Sequence, residues 1–182
     1  MKNAYYAARE RLEQSKADHY SYVPVPEDVL EKQRKELKDF DCKFSILVPA
    51  YETKEEYLHR LLQSVLGQSY EKFELIIADA SSSDCVEKVI RTYEDNRIKY
   101  KRLKNNGGIS ANTNQALMYA TGDYAALLDH DDVLTPDALY EMASCIKKAR
   151  EENIELQMLY SDEDKCNGDE TTYYEVNRKP KF

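Results

Sequence analysis

No stretch of this sequence approaches the ~20 consecutive apolar residues of a membrane-spanning helix, and the charged N-terminus lacks the apolar core of a signal peptide. Those absences imply a cytoplasmic protein and leave open only peripheral contact with the inner face of a membrane. A cationic surplus is also missing: 26 basic residues stand against 34 acidic ones, a net charge of -8. Without spare lysine and arginine to displace phosphate counterions, non-specific nucleic-acid binding is excluded. The four cysteines, Cys42, Cys85, Cys145 and Cys166, are widely separated, with no Cys-x-x-Cys pair and no histidine in metal-ligand spacing. That spacing argues against a zinc site and a disulfide framework, and buried reduced thiols are expected. Tryptophan is absent, and the 15 tyrosines are read mostly as packing.

Glycine-rich phosphate loops are missing too. The first apolar run ends in Pro49-Ala50-Tyr51-Glu52, where a dinucleotide-binding unit needs Gly-x-Gly-x-x-Gly. There is no Gly-x-x-x-x-Gly-Lys-Ser/Thr and no Gly-x-Ser-x-Gly elbow, which excludes a P-loop enzyme and an α/β-hydrolase.

What the sequence does contain is a globular composition, 33% charged and 42% hydrophobic over 182 residues, enough for one domain with a core plus appendages. Residues 1–42 read as an N-terminal helical extension or linker. It carries weak apolar stripes at Tyr5, Ala8 and Leu12 and at Leu30, Gln33 and Leu37, split by the helix-breaking Val23-Pro24-Val25-Pro26. From residue 43 to 182 the pattern becomes strand, helix, strand. Phe44–Val48 and Phe73–Ala78 are buried strands, and Leu58, Leu61, Leu62, Val65 and Leu66 lie on one helical face between them. Ile98–Leu103 reads as a charged edge strand, and Asn105-Asn106-Gly107-Gly108 as a loop before a helix through Ala120. Tyr124–Leu128 is a further strand. Thr135 and Pro136 start a helix whose inner stripe is Leu139, Met142, Ala143 and Ile146. Leu156–Tyr160 reads as a final buried strand, with a turn at Asn167-Gly168-Asp169 beyond it.

Strands alternating with helices predict an α/β fold, a mostly parallel sheet flanked by helices, in which ligands bind outside the carboxyl ends of the strands. The expected tips are Ala50-Tyr51-Glu52, Asp79-Ala80-Ser81, the Asn-Asn-Gly-Gly loop, Asp129-His130-Asp131-Asp132 and Ser161-Asp162-Glu163-Asp164. Four of the five are acidic. Three carboxylates at the end of one short strand repel one another, and a divalent cation relieves that repulsion; oxygen donors suit magnesium, manganese or calcium. A cation bridging carboxylates to a diphosphate would do the work of the absent glycine cradle.

Five segments in order resemble family 2 glycosyltransferases of the GT-A fold. They are Ser45-Ile46-Leu47-Val48-Pro49-Ala50-Tyr51, Leu62–Tyr70 followed by Phe73–Asp79, Asn106–Asn114, Leu127-Leu128-Asp129-His130-Asp131-Asp132 as the Asp-x-Asp element, and Tyr160–Lys165. The last is similar to a segment of a subgroup that builds bacterial surface polysaccharides, rhamnosyltransferases among them. The resemblance implies an inverting transfer of sugar from a nucleotide-diphosphate donor, UDP- or dTDP-linked, to a hydroxyl of a saccharide or lipid-linked acceptor, with Mn2+ or Mg2+. It assigns the nucleotide sugar to Pro49, Ala50, Tyr51, Glu52, Asp79, Gly108, Asn114, Asp129 and His130, with Tyr51 stacking on the base and Asp79 hydrogen-bonding it. The metal falls to Asp131, with Asp129 beside it. Glu52 stands where the family commonly has asparagine, and Ala80-Ser81 where it has aspartate and glycine.

The resemblance covers about residues 43–165 and implies the donor-binding half of such an enzyme, truncated before the acceptor half. The general base is left unidentified, with Asp162 and Glu163 as weak candidates. Read without the resemblance, Gly107 and Gly108 supply positive φ angles, Asn114 stabilises its own helix and the acid cluster is an exposed loop. A non-catalytic nucleotide-binding or interaction module derived from a glycosyltransferase is the alternative function. A sugar-1-phosphate nucleotidyltransferase would want a glycine-rich loop after the first strand, and this chain lacks one.

Overall fold

The computed structural model describes residues 23–167 and 172–179 of the chain. They fall into two compact units, one spanning Val25–Ile154 and the other including the described residues from Glu155 onward.

The larger unit opens with α1 (Glu27–Glu36), then alternates β1 (Phe44–Ala50), α2 (Glu55–Leu66), β2 (Phe73–Asp79), α3 (Cys85–Ile90), β3 (Ile98–Arg102), α4 (Ile109–Leu117), β4 (Tyr124–Leu127) and α5 (Ala138–Glu151). The four strands form one sheet in the order β3-β2-β1-β4, every neighbouring pair parallel. All seven residues of both β1 and β2 are buried, as central strands of a sheet covered on both faces require. On one face Leu47, Ile76 and Ala78 pack with Ala116 of α4. The alternate residues Ile46, Val48, Leu75 and Ile77 point to the other face by strand alternation and are equally buried. The four inward residues of α2, Leu58, Leu61, Leu62 and Val65, are fully covered. Each contributes about 1.5–3 kcal/mol of transfer free energy.

A buried carboxylate fastens the amino-terminal side of this sheet. Glu74 on β2 accepts hydrogen bonds from Ser45 Oγ at 2.7 Å, Lys43 Nζ at 2.6 Å, and Thr121 N and Oγ1 at 2.7 and 2.8 Å. Lys99 Nζ of β3 stands 2.8 Å away. Burial by itself would raise the Glu74 pKa; the bonds from Lys43, Lys99 and Ser45 outweigh it and hold the carboxyl well below the usual range. Gly122 lies against the start of β1, where a Cβ would stand 2.6 Å from the Lys43 carbonyl and 2.8 Å from Ser45 N.

Several sequence expectations change here. The helix after the acid cluster begins at Ala138, not at Thr135–Pro136: the Pro136 carbonyl is occupied by the Ser69 amide at 2.8 Å, and Ala138 N bonds Thr135 O as a turn. Cysteine burial holds only for Cys42, whose thiol is pushed up by burial; Cys85 and Cys166 are partly covered and Cys145 is exposed on the outer face of α5. All four are free thiols. α1 is integrated into the larger unit, where Leu30 and Leu37 are buried and Gln33 accepts from Ser69 Oγ at 2.8 Å. The stripe at Tyr5, Ala8 and Leu12 lies outside the described residues.

In the other unit Leu156–Tyr160 forms no strand. The pairing there is local: β5 (Glu163–Cys166) runs antiparallel to β6 (Tyr173–Asn177), closed by Asn167 N on Thr172 O at 3.0 Å. Partners this near in sequence cost little loop entropy. The expected turn residues Gly168 and Asp169 lie outside the described residues. With no strand leading into it, Ser161–Asp164 is not a sheet tip.

Candidate active site at the carboxyl ends of the strands

Because all four strands are parallel, the residues following Ala50, Asp79, Arg102 and Leu127 emerge along one edge of the sheet. Pro49 and Ala50 end β1 in register with Ala78 and Asp79. Tyr51 follows with 49% of its surface exposed, and Glu52 turns away with a φ of +47°. That angle is sparsely populated for a residue with a Cβ, so surrounding contacts must hold it. They are present. Glu52 Oε1 accepts from Ser82 N at 2.7 Å, Ser82 Oγ at 2.6 Å and Ser83 N at 3.1 Å, while Oε2 takes Ser83 Oγ at 2.6 Å. The Glu52 amide in turn donates to Ser81 Oγ at 2.8 Å. Bonds from the Ser82 and Ser83 hydroxyls and then from their amides hold the Glu52 carboxyl down at about 2.

Asp79, at the end of β2, has a side chain with no exposed surface. Its Oδ1 accepts from Ser81 N at 2.9 Å; its Oδ2 accepts from Tyr100 OH at 2.7 Å and Arg102 Nη1 at 3.0 Å. Register explains the meeting, since Arg102 is the Cα partner of Asp79, and Tyr100, two residues back, shares its face. Burial pushes the Tyr100 phenol up to about 12, so it donates its proton throughout the ordinary pH range. Arg102 Nη2 reaches the Ser83 carbonyl at 2.6 Å. Neither Tyr100 nor Arg102 was expected at the site from sequence. The available signal was that β3, parallel to β2, must end beside Asp79.

The loop before α4 is organised by a residue the sequence reading passed over. Asn112 is buried; its Oδ1 accepts from Gly107 N at 3.1 Å and its Nδ2 donates to Asn106 Oδ1 at 2.9 Å. Asn106 Oδ1 also takes Gly108 N at 3.0 Å, and Gly108 sits at φ +85°, the left-handed region that favours glycine. Asn114 is exposed on the same helix.

Leu128 N continues the ladder onto Leu47 O at 3.2 Å, and the chain then turns, with Asp132 N on Asp129 O at 3.2 Å. The turn leaves Asp129, Asp131 and Asp132 exposed with His130 half-buried. His130 Nδ1 is a buried atom with no hydrogen-bond partner, 3.9 Å from Asp131 Oδ1. The following segment is pinned to α2 and the turn after it, Leu134 N on Ser64 Oγ at 3.2 Å and Leu139 N on Gln68 Oε1 at 2.9 Å. No group of three or more His, Cys, Asp or Glu side chains among the described residues could hold a metal ion. Two exposed carboxylates, Asp129 and Asp131, nevertheless fit a cation that keeps several waters and takes its remaining oxygens from substrate phosphates.

Asp162 and Glu163 belong to the β5–β6 unit. Glu163 Oε1 accepts from Lys179 Nζ and Asn177 Nδ2, both at 2.7 Å, and Asp162 Oδ1 accepts from Lys179 N at 2.8 Å. The Lys179 and Asn177 bonds hold the Glu163 carboxyl below its usual range.

The fold has counterparts among solved structures. The S. aureus TarS structure covering residues 1–349 superposes with a TM-score of 0.55 at 29% identity, over 59% of this chain and 33% of that one. The fold is α/β and GT-A-like. The sequence model of glycosyl transferase family 2 matches residues 45–171, and the chain belongs to that family. Among its relatives are the putative glycosyltransferase EpsE of Bacillus subtilis, 34% identical over 59% of this chain and 40% of EpsE. Another is the Escherichia coli UDP-Glc:alpha-D-GlcNAc-diphosphoundecaprenol beta-1,3-glucosyltransferase WfgD, 33% identical over 59% of this chain and 42% of WfgD. The chain spans less than half the length of the curated relatives it matches, from 11% to 42%. No helix among the described residues is long and apolar enough to cross a membrane.

Proposed function

We propose that this chain binds a nucleotide-diphosphate sugar at the carboxyl edge of its parallel sheet, as the donor half of an inverting glycosyltransferase of cell-surface polysaccharide synthesis. The observation that carries the reading is the convergence of Tyr51, Asp79 and the Asp129–Asp131 turn on one sheet edge, in a chain of family 2. The base would stack on Tyr51 over the Pro49–Ala50 strand end, the Gly108 loop and Asn114 would line the donor, and Asp129 and His130 would border the ribose. Asp131, with Asp129, would hold magnesium or manganese. Such a cation neutralises charge on the departing diphosphate. The relatives' printed roles, a glucosyltransferase acting on a lipid diphosphate among them, support a saccharide or lipid-linked acceptor.

Calorimetry with UDP and dTDP, on the wild type and Asp131→Ala, each with and without Mn2+, tests the reading. The expected result is metal-dependent binding in the wild type, weakened by about tenfold or more in the variant. Equal affinity in all four samples overturns the metal bridge. Hydrolysis of UDP-glucose in the same samples separates a reacting site from one that only binds.

A further inference from the structure

The face of the sheet that α4 covers differs in charge from the rest of the molecule. β1-α2-β2 and β2-α3-β3 step one way across the sheet and β3-α4-β4 steps back, so right-handed crossovers put α4 on the face opposite α2 and α3. α4 itself carries no charged residue. Residues 96–122, which hold β3 and α4, contain five of the chain's 26 basic residues, Arg97, Lys99, Lys101, Arg102 and Lys104, and none of its 34 acidic ones. The flanking acids Asp95 and Asp123 are tied to Arg97 and to the Lys43 amide. Where solvent meets it, the same face is apolar. Ala116 is buried against the sheet, and Leu117, Met118 and Tyr119 follow it at steps of about 100°. Met118 therefore points outward and is 76% exposed, while Leu117 and Tyr119 take the two flanks. Lys101 of β3 stands over the Tyr119 ring at 4.5 Å and shares this face through its register with Ala78. On the β4 edge Leu127 shares it through its register with Leu47 and is 75% exposed.

We propose that this face docks on an anionic lipid surface, with Leu117, Met118 and Tyr119 entering the boundary between headgroups and acyl chains and Lys101 meeting the phosphates. A tyrosine flanked by aliphatic side chains and a lysine suits that boundary, because the ring and the lysine stem are apolar while the hydroxyl and the ammonium reach water. Shape favours a bilayer over a folded protein. A single helix standing on a sheet is convex and its three side chains diverge, whereas a stable protein interface needs a complementary surface of about 1,000 Å² or more. The net charge of -8 does not forbid the contact. Glu55, Glu56 and Glu87 lie on α2 and α3, on the other face. One helix layer alone is about 10 Å across, as far as charges are felt in ~0.1 M salt. With α4 flat on the bilayer the strands run along it too, so the carboxyl edge of the sheet opens sideways at headgroup level. The contact uses no nucleotide and stands apart from the donor site.

Vesicle binding by the full chain tests this. The chain contains no tryptophan, so Met118→Trp on α4 and Cys145→Trp at an exposed position of α5 each supply a single reporter. Vesicles of equal parts phosphatidylcholine and phosphatidylglycerol should sediment the wild type and shift the Met118→Trp emission to the blue, leaving Cys145→Trp unchanged. Pure phosphatidylcholine should bind at least about fivefold more weakly. Lys101→Glu should weaken binding to the mixed vesicles by about tenfold or more, and Met118→Ser by about tenfold, each variant checked by thermal melting. Failure of the wild type to sediment, equal blue shifts at both reporter positions, or unchanged binding in both folded variants overturns the proposal. A blue shift with soluble polyglutamate equal to that with vesicles assigns the face to an acidic polypeptide and overturns the lipid contact.

Discussion

The carboxylate of Glu52 crosses from the end of β1 to Ser83 on the turn after β2, accepting its hydroxyl at 2.6 Å and its amide at 3.1 Å. This tie holds two loops of the sheet's carboxyl edge together, and it depends on ionisation. The Glu52 pKa is depressed to about 2, so the tie is complete above the ordinary value of 4.5 and is lost as pH falls toward 2. The chemical shifts of the Ser82 and Ser83 amides should therefore titrate with a midpoint well below 4.5. A midpoint at the ordinary value would show that the contact does not form in solution.

Tyr51 offers an exposed ring where a base would lie. Tyr51→Ala should weaken UDP binding by about 5- to 100-fold, the range of one base–aromatic stack, while Tyr51→Phe should leave it nearly unchanged. Loss of affinity in the Phe variant would transfer the contact from the ring to the hydroxyl.

Glu74 should matter for stability rather than binding. It is buried at the opposite, amino-terminal side of the sheet with Lys43, Lys99, Ser45 and Thr121 around it. Glu74→Ala removes the shared acceptor and should cost about 3 kcal/mol in urea unfolding. Lys99→Met should cost less, because Lys43 still answers the charge. Since the folded pKa is depressed, the Glu74 contribution is present at neutral pH and lost in acid.

Gly122→Ala should destabilise by about 2 kcal/mol, since its new methyl would meet the Lys43 carbonyl and Ser45 backbone within 2.8 Å. The β1–β4 pairing next to it should show the largest rise in hydrogen exchange. Unchanged stability would mean that the segment between α4 and β4 can shift outward without penalty.

The parts legible in the sequence were those written in local pattern. The apolar runs of β1 and β2 and the 3.6-residue stripe of α2 specify their own elements, and the parallel sheet then follows from their alternation. The acidic turn after β4 and the exposed Tyr51 were visible for the same reason. What escaped depends on register between distant segments. Arg102 reads as one more charge on an edge strand until β3 is aligned with β2 and the residue stands beside Asp79. Gly122 falls just past the helix predicted through Ala120, and its lack of a side chain serves a close backbone approach to β1. Leu156–Tyr160 shows the converse failure: apolar composition predicts a strand, but pairing requires a neighbour, and the neighbouring hairpin β5–β6 pairs with itself.

The order of strands across the sheet has a consequence for synthesis. β1 occupies an interior position, yet its last neighbour, β4, is joined to it at Lys43 and Asp123, 80 residues further along the chain. A nascent polypeptide can assemble β3, β2 and β1 while β4 is still inside the ribosome. The part of the carboxyl edge that carries Tyr51, Asp79 and Arg102 is therefore laid down first, and the acidic turn after β4 is the last part of that edge to arrive.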